Sequence, residues 1–363
     1  MADESYIQLT IEIAKRGIGK VSPNPLVGCV ITKNNKIIGA GFHAKYGDDH
    51  AEINAINSSH ENLEGSTLYV NLEPCSHDGK TPPCVDRIIA EKIKKVVIGT
   101  KDPNPLVSGE GISKLKQSGI EVTTGVLEKE CGELNKFFFK FITQRIPYIT
   151  LKAATTIDGK IADSKSHSEW ISCTESRRHV HKLRNKYDAV LIGADTAIKD
   201  DPQLTVRHVE GRNPYRIVLD SKLKLQTDLK IFQNNFDSRT IVVTTKSGEN
   251  KKRKMAEMKK LGVNIIVAKK NHNNKIHLKS MLKALARFNI TSVLVEGGSK
   301  IFTSFLKQKL FDDMILFISP KLIGGGIPVV NNLGIKSIKK SFKLKLINCE
   351  SIGEDIIAEY IPH

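Results

Sequence analysis

Along the first half of the chain, short apolar runs of strand length alternate with segments of helical spacing. "YIQLTIEIAKRG" carries a helix period and stops at Gly17. "LVGCVIT" and "KIIGAGFH" read as strands joined by "KNNK", a hairpin signal. "HAEINAINSS" opens a helix, "STLYVNLEPC" is a strand running into a loop, and "VDRIIAEK" is helical. "KKVVIGT" is a strand, "SGEGISKLKQSG" a helix, and "IEVTTGV" follows as a strand. "CGELNKFFFKFITQRIPY" (131–148) reads as one helix ending near Arg145, before Pro147.

The pattern then restarts. Strands are expected at "YITLKAA", "DAVLIGA", "YRIVLD", "TIVVTT", "VNIIVA", "SVLVEGG" and "MILFISPKLI". Helices are expected at "CTESRRHVHKLRNK", the lysine-rich run "ENKKRKMAEMKK", "LKSMLKALARF" and "SKIFTSFLKQ". Two α/β domains follow, 1–146 and 147–363; in the first, strands alternating with helices imply a largely parallel sheet with helices on its faces. "SPNPLVG" (22–28) and "DPNPLVSG" (102–109) echo one another, either as two similar turns or as two rigid loops presenting Asn24 and Asn104.

Composition narrows the class. The 363 residues are 40% hydrophobic and 26% charged, as in ordinary globular chains. Met1 to Lys20 begins with acidic residues and lacks the apolar core of a signal peptide. No apolar run reaches the roughly 20 residues of a membrane helix. A cytoplasmic protein without a membrane partner is expected. The net charge of +17 raises nucleic acid and phosphorylated small molecules as partners. The lysines are dispersed, however, and their densest run reads as a solvated helix face, so no nucleic-acid partner is expected.

Six cysteines in a chain this long do not form a disulfide framework. Cys29, Cys131, Cys173 and Cys349 are scattered and read as structural. Cys75 and Cys84 differ, because "HAE" lies upstream with His50 and Glu52 at a helix start. Zinc takes nitrogen and sulfur ligands in a tetrahedral set, and a catalytic site leaves one position to water. His50, Cys75 and Cys84 supply three ligands, and the metal would acidify the water. Glu52 is not needed as a ligand and is placed to move a proton between that water and a departing ammonia. The combination is the zinc-deaminase signature, with one departure: eight residues, not two, separate the cysteines. Cys84 would start a helix, where a thiolate is favoured, with Cys75 in the loop before it.

"HAEINAI", "EPCSHDGKTPPC", "KDPNPLVSGEG", "LKAATTIDGKIA", "SEWIS", "DDPQLTVR", "LVEGG" and "SPKLIGG" together closely resemble the bacterial bifunctional riboflavin-biosynthesis deaminase/reductase family. The resemblance spans essentially the whole chain, and the long loop between the cysteines is the family's own form. It implies a cytidine-deaminase-like fold followed by a dihydrofolate-reductase-like one. The first removes the amino group at the 2-position of a diamino-pyrimidinone carrying a ribosylamino phosphate. The second uses NADPH to reduce the ribosyl chain to ribityl.

Carried over by motif, His50, Cys75 and Cys84 hold zinc and Glu52 shuttles the proton. Asn24, His77, Lys80, Asp102 and Asn104 contact the deaminase substrate. In the second half, Ala154, Trp170, Thr196, Asp200 and Ser221 resemble cofactor contacts. Gly298 and Ser299, in "EGGSKIF", suit a pyrophosphate at a helix start, and no G-x-G-x-x-G run is present. Ser168, Arg184, Leu204, Arg207 and Glu296 resemble substrate contacts, the arginines suiting phosphate. Lys152 is either a surface lysine or a catalytic group that contacts the ribose hydroxyls, helps the sugar ring open and positions the opened sugar. "LIGGG" (322–326) reads as a structural turn, and a homo-oligomer is expected. The alternatives are a nucleic-acid or nucleoside zinc deaminase with an appended domain, and a non-catalytic zinc scaffold. A nucleic-acid enzyme leaves the second half without a role, and a structural zinc site normally closes with four protein ligands.

Overall fold

The computed structural model describes residues 2–77, 82–105 and 107–363. The chain divides into two compact units, Met1–Arg145 and Ile146–His363.

The first unit is a five-stranded sheet. Its strands are β1 (Gly28–Lys33), β2 (Lys36–Phe42), β3 (Thr67–Leu72), β4 (Lys95–Thr100) and β5 (Glu121–Thr124), in the order β2-β1-β3-β4-β5. β1 runs antiparallel to both neighbours, and β3, β4 and β5 are parallel. Asn34 and Asn35 take φ of 50° and 60° in the β1–β2 turn, a left-handed conformation that asparagine tolerates.

Alternation along the strands builds two cores. Ile31, Leu68, Val70, Val96 and Ile98 face the helices Ala51–Ser58, Cys84–Ala90 and Glu110–Gln117 through Ala55, Ile88 and Leu115. Val30, Tyr69 and Val97 face the helix Asp3–Ala14 through Ile7 and Ile11. Gly41 of β2 lies so close to the helix Ala51–Ser58 that a Cβ there would stand 2.4 Å from the Ala55 nitrogen. Only glycine allows that approach, which brings the start of the helix, and His50 with it, against the sheet.

The expected helix over 131–148 is instead two helices, Glu128–Leu134 and Lys136–Gln144, interrupted at Asn135. The buried Asn135 side chain is committed elsewhere: Oδ1 accepts the Leu26 N–H at 2.7 Å and Nδ2 donates to the Leu26 carbonyl at 3.0 Å.

The second unit centres on a nine-stranded sheet. In chain order its strands are β6 (Tyr148–Thr156), β8 (Ala189–Gly193), β9 (Tyr215–Leu219), β10 (Thr240–Thr244), β11 (Asn264–Val267), β12 (Ser292–Gly297), β13 (Asp313–Ser319), β15 (Leu344–Ile352) and β16 (Asp355–Pro362). The spatial order is β11-β10-β9-β8-β12-β6-β13-β16-β15. The seven strands from β11 to β13 are parallel, and β16 and β15 close the edge antiparallel. Two short strands, β7 (Lys160–Ala162) and β14 (Ile327–Pro328), pair separately. The sequence pattern did not reveal the β15–β16 hairpin; seven successive residues of β15, 345–351, are exposed, so no buried face marks the strand. One large core, including Ile149, Leu151, Leu191, Ile217, Val243, Val295, Phe302 and Phe305, fills one side of the sheet, and Val190, Ile192, Val218, Val242 and Leu294 are buried on the other.

Candidate active sites

Both units set their candidate residues at the carboxyl ends of parallel strands, where ligands bind in α/β sheets. β3 ends into Glu73, Pro74 and Cys75, and β4 ends into Asp102. His50 caps the helix Ala51–Ser58, and Cys84 is the first residue of the helix Cys84–Ala90. The ligand atoms of His50, Cys75 and Cys84 lie within 4.8 Å of one another. His50 Nδ1 is 3.3 Å from Cys84 Sγ and 3.5 Å from Cys75 Sγ, and the Cys84 backbone N–H donates to Cys75 Sγ at 3.4 Å. No disulfide joins the two cysteines. One nitrogen and two sulfurs, with His50 and Cys75 at the wall of a cavity that has room for a fourth ligand, are a donor set suited to zinc.

The electrostatics of this cluster are polarised. Cys75 carries the negative charge: the Cys84 thiol donates to it and His50 faces it, and its pKa is held down to about 4. The hydrogen bond to Cys75 and burial push Cys84 up. Glu52 is 3% exposed, and burial, reinforced by the Cys75 charge, raises its carboxyl to about 7.

The cavity, of about 330 Å³, is lined by Asn24, His50, Glu52, Cys75, His77, Asp102 and Asn104 together with the apolar wall of Phe138, Phe141 and Ile142. The two echoed Pro-Asn-Pro loops therefore meet across one pocket. Lys80 lies outside the described residues.

Several residues of this site carry little or no signal in the sequence. The buried His43 donates from Nδ1 to the Asp49 carbonyl (3.0 Å) and accepts the Asn24 amide at Nε2 (3.1 Å). Burial lowers its pKa, so the ring is neutral and the amide direction is set. Glu73 collects the N–H groups of Asp102 (3.2 Å), Gly109 (3.1 Å) and Ile112 (3.3 Å), which fixes the Asp102 loop. Burial pushes the Asp102 carboxyl up to about 6. "EPC" is the only sequence hint of Glu73, whose partners are backbone groups far along the chain.

In the second unit, Lys152 and Ala154 stand on β6, Glu296 at the end of β12, Thr196 in the helix Ala194–Asp200 that follows β8, and Ser221 just past β9. Arg184 and Glu296 form a bidentate ion pair, Nε to Oε1 at 2.7 Å and Nη2 to Oε2 at 2.9 Å, with side chains only 12% and 9% exposed. The two expected substrate contacts are thus first of all contacts of each other. Burial lowers the Lys152 pKa against the opposing pull of Glu296.

Gly297 takes φ of +121°, and a Cβ on Gly298 would meet the Thr196 hydroxyl at 3.0 Å. Ser299, 6% exposed at the start of the helix Ser299–Gln308, has a buried hydroxyl without a hydrogen-bond partner among the described residues. A tight glycine turn, a helix start and an orphaned hydroxyl form a cradle that fits a phosphate-bearing cofactor. Trp170 is 64% exposed with the Arg177 guanidinium 4.5 Å from its ring centre, and Ser168 is half-buried in the same segment. Burial raises the Asp200 carboxyl. Leu204 is buried with φ of +55°, whereas Arg207 is exposed. Among the described residues no helix is long and apolar enough to cross a membrane.

Comparison with known proteins agrees with this division. Residues 1–100 match the family model for the cytidine and deoxycytidylate deaminase zinc-binding region, and residues 147–358 match the RibD C-terminal domain. The riboflavin biosynthesis protein RibD of Aquifex aeolicus is 46% identical over 356 residues, covering 98% of this chain and 97% of that protein. RibD of Escherichia coli is 34% identical, with 98% of each chain covered. The Thermotoga maritima diaminohydroxyphosphoribosylaminopyrimidine deaminase/5-amino-6-(5-phosphoribosylamino)uracil reductase superposes with a TM-score of 0.88 at 42% identity, covering 99% of both chains. RibD of Acinetobacter baumannii gives 0.90 at 36% identity with the same coverage. With the zinc-type donor set in one unit and the phosphate cradle in the other, the chain belongs to the RibD family of bifunctional riboflavin-biosynthesis enzymes, a deaminase joined to a reductase.

Proposed function

We propose that the first unit hydrolyses the 2-amino group of 2,5-diamino-6-ribosylamino-4(3H)-pyrimidinone 5′-phosphate, and that the second reduces the ribosyl chain of the product with NADPH. The observation that carries the reading is the convergence of His50, Cys75 and Cys84, with buried Glu52 beside His50 and Cys75 on the wall of one cavity. Zinc held by those three side chains supplies Lewis-acid activation of water.

The chain's own residues do the rest. Glu52 takes a proton from the attacking water and delivers it to the departing nitrogen, so that C–N cleavage releases ammonia and leaves a carbonyl. Asn24, with its amide NH₂ engaged by His43, offers its oxygen to a donor on the pyrimidine. Asn104 and Asp102 line the same pocket, and His77, at the start of the loop between the cysteines, faces the substrate there.

In the second unit the cofactor supplies hydride. Gly298, Ser299 and Thr196 support its phosphates, with Ala154, Trp170, Asp200 and Ser221 as further contacts. The ribosylamine opens by breaking its ring C–O bond, giving an imine at the first carbon of the sugar. Hydride adds to that carbon and a proton to the nitrogen. The pyrimidine ring is electron-rich and a poor acceptor. Lys152, a half-buried lysine whose charged form Glu296 favours, positions the opened sugar; Ser168 and Leu204 complete the substrate side. The exposed edge strand β15, with Leu346 and Ile347 half open to solvent, supports association with a second copy.

The test feeds the zinc-loaded protein the diamino-pyrimidinone phosphate with NADPH deuterated at the transferable position. Ammonia release followed by deuterium at the first sugar carbon is expected. Deuterium on the pyrimidine ring, or no ammonia, overturns the reading.

A further inference from the structure

The segment that carries Arg207 has no regular secondary structure, yet its backbone is held at three successive residues. Arg184 Nη1 donates to the Thr205 carbonyl at 3.2 Å. The Val206 N–H donates to Asn213 Oδ1 at 3.0 Å. The Arg207 N–H donates to His181 Nδ1 at 3.1 Å. His181 and Arg184 are three residues apart in the helix Thr174–Lys186, so a single helix face grips the segment on both sides of Val206. The His208 ring meets His181 edge to face, with centroids 4.6 Å apart.

The two arginines of this region differ in what they have to give. Arg184 is neutralised by its bidentate pair with Glu296. Arg207 is exposed, and its guanidinium bonds only the neutral Gln203 oxygen, at 2.8 Å; among the described residues it has no carboxylate partner. Of the two arginines, Arg207 is therefore the one whose charge is left for an incoming dianion. Its aim depends on its backbone, and the bond nearest its own Cα is the one to His181. That side chain is 5% exposed, and burial, with the charges of Arg184, His208 and Arg207 around it and Glu296 opposing them, holds its pKa down to about 4. It is neutral at physiological pH, with Nδ1 free to accept and the proton on Nε2.

We infer that His181 is a positioning residue for phosphate recognition in the reductase site: it fixes the Arg207 backbone so that the guanidinium meets the substrate 5′-phosphate. The inference rests on the reading of Arg207 as a substrate contact. It assigns the phosphate grip to Arg207 and a scaffolding task to Arg184.

The experiment measures kcat and KM of reduction for the phosphorylated substrate and for its dephosphorylated counterpart. His181→Leu keeps a branched side chain of similar reach but cannot accept. It raises KM for the phosphorylated substrate about five- to tenfold, the size of one lost hydrogen bond, and leaves kcat and the dephosphorylated substrate near native values. His181→Asn places an oxygen the same number of bonds from Cα as Nδ1 and restores the native KM. His181→Gln, with its acceptor one bond further out, behaves as Leu does, and serves as the second reading should the Leu variant not fold. Arg207→Ala is the reference and abolishes the preference for the phosphorylated substrate. If Arg207→Ala keeps that preference, Arg207 is not the phosphate contact and the inference falls with it. If Arg207→Ala loses the preference while His181→Leu and His181→Gln keep it, or lose both substrates equally, the inference alone is overturned.

Discussion

In the first unit the chemistry is concentrated. Three ligand atoms lie within 4.8 Å, and a buried acid stands beside His50 and Cys75 on the wall of one cavity. In the second unit the expected contacts are spread from Lys152 to Ser299, and the strongest interaction among them is the Arg184–Glu296 pair, which joins two protein groups. A metal-assisted hydrolysis draws its reactivity from a few atoms that must touch. A hydride transfer draws its reactivity from the cofactor, so the protein contributes positioning, which many dispersed residues share. The two sites should therefore fail differently when single residues are removed.

The largest effect is expected for Cys84→Ser. Loss of one of three ligands should strip the metal and take deamination to background, while reduction, housed in a unit with its own core, continues. Metal analysis with both assays checks this; retained zinc would break the contrast. Next comes Glu52→Gln, which should keep zinc and lose about 10² to 10⁴-fold in deamination, the usual worth of positioned proton transfer. Near-native turnover would remove Glu52 from the chemistry.

How far the sequence led follows the same contrast. His50, Glu52, Cys75 and Cys84 were legible because metal chemistry is written in side-chain identity and short spacing. Glu73, His43 and His181 were not, because each works through backbone or amide partners that only the tertiary fold supplies. From β1 to β13 the strands with a buried face were legible, except the three-residue β7, in which only Ala162 is buried. The hairpin β15–β16 was not, since β15 is exposed along nearly its whole length. The helix over 131–148 was legible in its apolar period but not in its break, because the hydrogen bonds that occupy Asn135 reach back to Leu26.

A third prediction concerns stability in the second unit. Glu296→Ala leaves Arg184 as a buried unpaired charge and should cost about 3–5 kcal/mol. The pair also sets a pH dependence. Burial works to raise the Glu296 carboxyl, but Arg184 outweighs it and holds the group down to about 2, against an ordinary 4.5. Because the folded value is depressed, the stabilisation is fully present above about 4.5 and drains away as pH falls towards 2. Thermal melts over that window should show the native unit losing stability that the Glu296→Ala protein has already lost. Parallel pH profiles would mean that the pair is not the strong contact its geometry describes.

The smallest expected effect returns to the first unit and asks whether its concentrated site still depends on one dispersed contact. Asn135 joins two parts of the pocket. Its side chain binds both backbone groups of Leu26, between the pocket residues Pro25 and Val27, and it directly precedes the helix that presents Phe138, Phe141 and Ile142. In Asn135→Ala the Leu26 carbonyl keeps a donor, because Asn71 Nδ2 also reaches it at 2.9 Å. The Leu26 N–H loses the partner it has, at 2.7 Å. One unpaired, part-buried donor should cost about 1–2 kcal/mol. The loss should fall on the first unit alone, as a downward shift of one of two melting transitions. The pocket wall and the Asn24 loop would no longer be tied, so KM for deamination should rise while zinc content stays at one per chain and reduction is unaffected. A lower kcat with unchanged KM would mean that the metal cluster, rather than the wall, relies on Asn135, and the first unit would then be less self-contained than its geometry describes.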